Sequence, residues 1–131
     1  MKQISRNKDN GNAIERYGKS FCHALSGLWY AIKCEHNMII ILLATIVVAV
    51  AGVYFKISTG EWLFCLTMIG MVSATEMINT SIEAVVDLVT TEYHPLAKIA
   101  KDTASTATLL FSFTALIGAL IIFIPKIMNL F

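Results

Sequence analysis

The sequence predicts an all-α membrane protein: an N-terminal interfacial amphipathic helix followed by three transmembrane helices. Two long charge-free runs, a sparse and one-sided charge distribution, and one amphipathic stretch carry that prediction. Of 131 residues, 56% are hydrophobic and 15% are charged. Soluble domains average about 45–50% apolar and about 25% charged residues. Too little charge remains to solvate a globule's surface. Ten Lys and Arg against nine Asp and Glu exclude a basic nucleic-acid binder, and the hydrophobic content excludes a disordered chain.

The spans follow from length. Asn37–Phe55 (19 residues) and Thr103–Pro125 (23 residues) contain no Lys, Arg, Asp or Glu. At 1.5 Å per residue each crosses a hydrocarbon core of about 30 Å. Between them, the 14-residue charge-free run Trp62–Thr75 is too short to span alone. Its apolar pattern continues through Ile78, Ile82, Val85, Val86 and Leu88 and is interrupted by Glu76, Glu83 and Asp87. The sequence therefore predicts one helix over 61–89, between spans at 37–55 and 103–125, in a single domain covering 1–131.

Ahead of the first span, Ile14, Tyr17, Phe21, Leu25, Leu28 and Ile32 recur every three or four residues, within one narrow arc of a helix over 13–34. Such a helix lies in the membrane surface with its cations toward the headgroups. Residues 1–12 are polar and read as a frayed tail. Ala49-Val50-Ala51 resembles a signal-peptidase site, but 36 residues precede the apolar run, longer than a whole signal peptide of about 15–30 residues.

Several motifs carry no chemistry. Ala13–Ser20 fits a loosened P-loop pattern, yet no buried strand precedes it and no parallel sheet is available. Asn79-Thr80-Ser81 fits a glycosylation acceptor but lies within a span. Cys22, Cys34 and Cys65 form no C-x-x-C pair and suggest neither a disulfide framework nor a zinc site. His23, His36 and His94 read as interfacial polar tips.

The acidic stripe is different. Glu76, Asn79, Glu83 and Asp87 are spaced 3, 4 and 4 apart, within about 80° of helical arc. Ionisable residues inside a span cost about 2.5–3.5 kcal/mol each on insertion scales and mark functional sites. Asp87 alone is explained by the headgroup region; Glu76 and Asn79 lie deeper. Glu35 adds an acid where the first span begins, and Lys101-Asp102 a cation and an acid where the last begins. Acids and a Lys beside one membrane face suit a divalent cation carrying phosphate oxygens, with a deeper carboxylate accepting a proton from a membrane alcohol. On composition and periodicity alone, a proton-coupled transport or channel subunit fits nearly as well.

The segment Glu76-Met77-Ile78-Asn79-Thr80-Ser81-Ile82-Glu83-Ala84-Val85-Val86-Asp87 closely resembles the E-x-x-N-[ST]-[AS]-I-E-x-x-V-D motif of the prokaryotic diacylglycerol kinase family. Glu92-Tyr93-His94-Pro95-Leu96-Ala97-Lys98-Ile99-Ala100-Lys101-Asp102 resembles its second motif, in the form of the Gram-positive branch of undecaprenol kinases. The resemblance spans roughly 12–125. It implies a homotrimeric membrane lipid kinase that uses Mg²⁺ and ATP to phosphorylate a lipid alcohol, undecaprenol before diacylglycerol. By the same resemblance Glu76 is the general base with Asn79 beside it, and Glu35 and Glu83 hold the metal. Arg16, Asp87, Lys101 and Asp102 are then nucleotide-binding positions. A trimer also shields the acidic stripe from lipid. Thr106 stands where a smaller residue is common, Thr108 where Val is, and Ser73-Ala74-Thr75 where bulky aliphatics are. Ser73 and Thr106 are thus candidate lipid-binding residues, alongside local helix repacking as the plainer account.

Charge also sets orientation. Lys2, Arg6, Lys8, Arg16, Lys19 and Lys33 precede the first span and Lys98 and Lys101 follow the second, leaving Lys56 and Lys126 for the other side. That asymmetry puts the N-terminus and residues 90–102, with the active site, at the cytoplasmic face of the cell membrane. In a variant without native cysteines, Ser58→Cys is expected to react with an impermeant reagent added to intact cells. Labelling only after the cells are opened would reverse the topology.

Overall fold

The computed structural model describes residues 12–130; the polar tail read as frayed lies, apart from Asn12, outside them. Four helices follow one another: α1 (Ala13–Cys34), α2 (His36–Tyr54), α3 (Thr59–Val89) and α4 (Pro95–Met128). The last three are each long and apolar enough to cross a membrane.

One extended residue makes the first corner. Glu35 has φ −108° and ψ 116°, and its amide still donates to the Ala31 carbonyl at 2.9 Å. α1 therefore ends and α2 begins without a loop. On α1 the apolar arc is largely exposed, from 85% at Ile14 down to 37% at Leu28, while Ala31 at its end is buried. Within this chain, no other described helix covers this face.

α2 ends in a Schellman turn. The Ile57 amide donates to the Gly52 carbonyl at 3.1 Å and the Lys56 amide to Val53 at 3.3 Å, with Lys56 at φ 51° in the left-handed position of that motif. Ser58 then opens α3 through a capping box: its hydroxyl accepts from the Glu61 amide at 3.3 Å, and its own amide donates to Glu61 Oε2 at 2.6 Å.

The last helix starts at Pro95, eight residues before the charge-free run expected to span. His94 caps it, Nδ1 accepting from the Leu96 amide at 3.2 Å. Pro95 occupies the first turn, where its fixed φ suits a helix and its missing N–H costs nothing. The charge-free run marks the apolar segment, whereas local capping sets the helix start.

α3 and α4 form the most extensive pairing, and α2 packs on α3. Ion pairs stand at both ends of the antiparallel hairpin: Glu61 Oε1 with Lys126 Nζ at 3.1 Å, and Asp87 Oδ1 with Lys101 Nζ at 2.6 Å. Twenty-six residues separate Glu61 from Asp87, about 39 Å along a helix, slightly more than a hydrocarbon core. Near the Glu61 end, Ile57, Cys65 and Ile122 form a small core with Trp62, Phe64 and Phe123 against it. Two glycines make room for it. A Cβ on Gly52 would lie 2.7 Å from the Trp62 ring, and one on Gly118 would lie 2.1 Å from the Phe64 ring.

Gly118→Ala is accordingly expected to destabilise the protein by about 1–3 kcal/mol through overpacking. Phe64→Leu in the same chain should recover part of the loss. Unfolding in detergent of both single variants and the double variant measures the coupling. A Gly118→Ala protein as stable as its parent would remove Phe64 from the α3–α4 interface.

Candidate functional site

The acidic stripe falls on α3 and points mainly inward. Glu76 is 1% exposed, and Asn79 and Thr80 are also buried. Glu83 is partly buried and Asp87 exposed. Asn79 and Glu83 meet: Asn79 Nδ2 donates to Glu83 Oε1 at 3.0 Å. The i,i+4 spacing on one helix face makes that contact possible. One oxygen of Glu83 is thereby held, and the carboxylate keeps lone pairs for a further ligand.

Glu76 opens on a cavity of about 240 Å³ between α2, α3 and α4. Polar lining comes from Asn37 of α2 and from Ser105, Thr108 and Ser112 of α4; Ile40, Ile41 and Leu109 complete it. Three buried side-chain oxygens among the described residues have no hydrogen-bond partner: Glu76 Oε1, Asn79 Oδ1 and Thr108 Oγ1. An unpaired buried polar atom costs about 1–3 kcal/mol. Glu76 and Thr108 line the cavity and Asn79 does not, so a polar group in the cavity would complete the first two. Glu76 Oε1 and Asn79 Oδ1 only accept hydrogen bonds, unless the acid is protonated, so they suit a hydroxyl donor or a cation.

A second, larger cavity of about 360 Å³ shares Ile40, Ile41 and Ser112 with the first. Its wall is almost wholly apolar and includes Val48, Phe64, Met68, Val72 and Leu116. The hydroxyl of Thr45, also in this wall, is already bonded to the Ile41 carbonyl at 2.8 Å. The carboxylate cavity thus adjoins a space fit for hydrocarbon.

The remaining candidates are distributed around this centre. Glu35 forms the partly buried α1–α2 corner. Arg16 is exposed near the start of α1. Lys101 is bonded to Asp87 across the hairpin, and Asp102 to Lys98 along α4. Ser73 is partly buried and Thr106 exposed, its hydroxyl bonded to the Asp102 carbonyl at 2.7 Å. Neither is among the residues lining the two cavities. The lining polar residues of α4 are instead Ser105, Thr108 and Ser112, spaced 3 and 4 apart on one helix face. That hydroxyl stripe at helical spacing is the available signal, and of its members only Thr108 stands out in the sequence, as a departure from the family pattern. Among the described residues no three His, Cys, Asp or Glu side chains converge as a metal cluster.

Known proteins resemble this chain along most of its length. Residues 22–123 match the family described as prokaryotic diacylglycerol kinase. The undecaprenol kinase of Bacillus subtilis (strain 168) is 39% identical over 120 residues, covering 92% of this chain and 98% of that protein. A diacylglycerol kinase of Helicobacter pylori (strain ATCC 700392 / 26695) is 35% identical over 100 residues, 74% of this chain and 76% of the relative. One from Synechocystis sp. is 33% identical over 112 residues, 85% of this chain and 64% of the relative. The motif around the buried Glu76, the three apolar helices and these matches agree, and the chain belongs to the prokaryotic diacylglycerol kinase family.

Proposed function

We propose that this lipid kinase transfers the γ-phosphoryl group of ATP to the hydroxyl of undecaprenol, giving undecaprenyl phosphate and ADP, as a homotrimer with its site at the cytoplasmic face of the cell membrane. The observation that carries the reading is Glu76. A carboxylate 1% exposed, with one oxygen unpartnered, sits where a polar cavity adjoins an apolar one. That combination suits a lipid whose only polar group is an alcohol. The 39% identity to the Bacillus subtilis undecaprenol kinase over nearly its full length supports the same substrate. Diacylglycerol is the alternative, favoured by the relatives that bear that name.

In this reading Glu76 takes the proton of the lipid hydroxyl. The alcohol oxygen forms a new bond to the γ-phosphorus while the bond from that phosphorus to the ADP oxygen breaks. Glu76 lies 11 residues before Asp87, about 16 Å deeper along α3, so the alcohol must reach below the headgroups. A prenol has no ester carbonyls to keep near water and can do so. Glu83 and Glu35 are the proposed holders of the nucleotide's Mg²⁺. The fit is one of donor chemistry: Mg²⁺ takes one or two carboxylates and completes its shell with substrate phosphates and water, and Asn79 orients Glu83 while its own unpartnered Oδ1 offers another hard oxygen. The chemistry supplied by bound Mg²⁺ is neutralisation of charge on the phosphate oxygens. Arg16, Lys101, Asp87 and Asp102 are the proposed nucleotide contacts, with Lys101 steered by Asp87 at 2.6 Å. Ser73 and Thr106, outside the cavity lining, remain candidates only for the lipid-facing surface of the same helices. The exposed apolar arc of α1 is proposed to lie in the membrane interface.

Purified protein with Mg-ATP should release ADP on addition of undecaprenol in mixed micelles. Undecaprenol should be turned over about tenfold or more faster than diacylglycerol at equal mole fraction, corresponding to about 1.4 kcal/mol of transition-state discrimination. Equal rates, or a preference for diacylglycerol, would overturn the substrate assignment and leave the kinase intact.

Removing the charge of Glu83 with Glu83→Gln should cut turnover by at least about 10²-fold. Glu76→Gln should lower it by about 10²–10⁴-fold while nucleotide binding persists. Lys33→Gln, beside Trp29 on α1, should change little. A Glu76→Gln protein that turns over normally at saturating ATP but binds nucleotide poorly would remove Glu76 from the base role.

A further inference from the structure

Most threonines of the spanning helices bond their hydroxyls to their own helix, and among the described residues Thr108 carries the one hydroxyl that is both buried and unpaired. Thr45, Thr75, Thr80, Thr106 and Thr114 each donate to the carbonyl four residues earlier, at 2.7–3.1 Å. A threonine in lipid satisfies its hydroxyl this way without needing a partner helix. Thr108 does not. Its Oγ1 is shut off from solvent and has no partner, and the residue lines the same cavity as Glu76.

The two unpaired groups are complementary. Thr108 has a proton to donate, and ionised Glu76 can only accept. They line one cavity and do not bond to each other, so a group that joins them must accept from one and donate to the other. A hydroxyl does both, whether of water or of an alcohol, and only the alcohol also uses the apolar space that adjoins this point. A phosphate oxygen or an ester carbonyl only accepts, and an ammonium only donates. The apolar cavity adjoining this point has room for the carbon chain that such an alcohol carries.

We propose that Thr108 is an acceptor-binding residue, its hydroxyl donating to the oxygen of the lipid alcohol while that alcohol donates to Glu76. The assignment rests on the lipid-kinase reading above. As the proton passes to Glu76, the alcohol oxygen gains negative charge and bonds to the γ-phosphorus, and the bond from phosphorus to the ADP oxygen breaks. The Thr108 hydrogen bond is kept throughout and strengthens as charge develops. Ser105 and Ser112 flank Thr108 on the same face and leave the acceptor end polar around it.

The full chain in mixed micelles tests this with two variants. Thr108→Val keeps the shape and removes the donor; Thr108→Ser keeps the donor. For Thr108→Val, kcat/KM toward undecaprenol should fall about tenfold, the scale of one hydrogen bond at a reacting oxygen, with KM for ATP unchanged. Thr108→Ser should recover most of that loss. Thermal stability of Thr108→Val should equal or exceed the parent's, because a buried unpaired hydroxyl has been removed. Lipid kcat/KM within twofold of the parent in Thr108→Val overturns the assignment, as does a Thr108→Ser protein equally impaired, or a matching rise in KM for ATP. A parent that phosphorylates neither undecaprenol nor diacylglycerol overturns the lipid-kinase reading and this assignment with it, whereas an active parent with an indifferent Thr108→Val overturns this assignment alone.

Discussion

The register between α3 and α4 is the constraint on which the site depends. Glu61 meets Lys126 at one end and Asp87 meets Lys101 at the other. Within a bilayer, apolar contact alone does not hold helices together, because lipid is as apolar as leucine; packing detail and polar contacts set the alignment. A slip of one helical turn, 5.4 Å, would break both ion pairs. It would also move the Phe64 ring off Gly118 and take Glu76 away from Thr108 and Ser112. Glu61 serves twice, one oxygen in the capping box of α3 and the other on Lys126. The helix start and the interhelix alignment are thereby tied to one carboxylate.

Between those clamps the hairpin is unequal along its length. Toward Glu61, glycines at 52 and 118 admit the Trp62 and Phe64 rings and the interface closes around Ile57, Cys65 and Ile122. Toward Asp87 the wall is built from Ser105, Thr108 and Ser112, and a cavity remains. The rings fill the space that the glycines leave, although Phe64 and Cys65 also border the apolar cavity, whereas small hydroxylated residues facing a carboxylate leave a polar one. The end toward Asp87 holds a polar cavity and, among the described residues, three buried oxygens without a partner. Such unpaired groups are characteristic of sites where activity takes precedence over stability.

α1 presents a related asymmetry. Its apolar residues grow steadily less exposed from Ile14 to Leu28, and the helix joins α2 through the single extended residue Glu35. With no loop between the two helices, the angle of α1 to the bundle and the location of the Glu35 carboxylate are set together. A proposed metal ligand at that corner is therefore placed by the same short connection that directs the apolar arc of α1 toward its surroundings.

Much of this was legible in the residues. Charge-free runs at 37–55 and 103–125, the interrupted apolar pattern of 61–89 and the 3-4 periodicity of Ile14 to Ile32 are properties of local composition, and helices report them directly because their hydrogen bonds are local. The acidic stripe was equally visible, since residues 3, 4 and 4 apart share a face wherever the helix is placed. By itself the sequence determined the helices, the family motif and which α3 residues lie together. It did not determine what faces them. The start of α4 depends on capping by His94, and the neighbours of Glu76 come from α2 and α4, 35 to 39 residues before it and 29 to 36 residues after it. Only the tertiary structure separates Thr108, unpaired and facing the cavity, from Thr106, bonded to its own helix. Two residues along a helix turn a side chain by about 200°, and which side then meets a carboxylate is decided by helix packing rather than by the chain's local pattern.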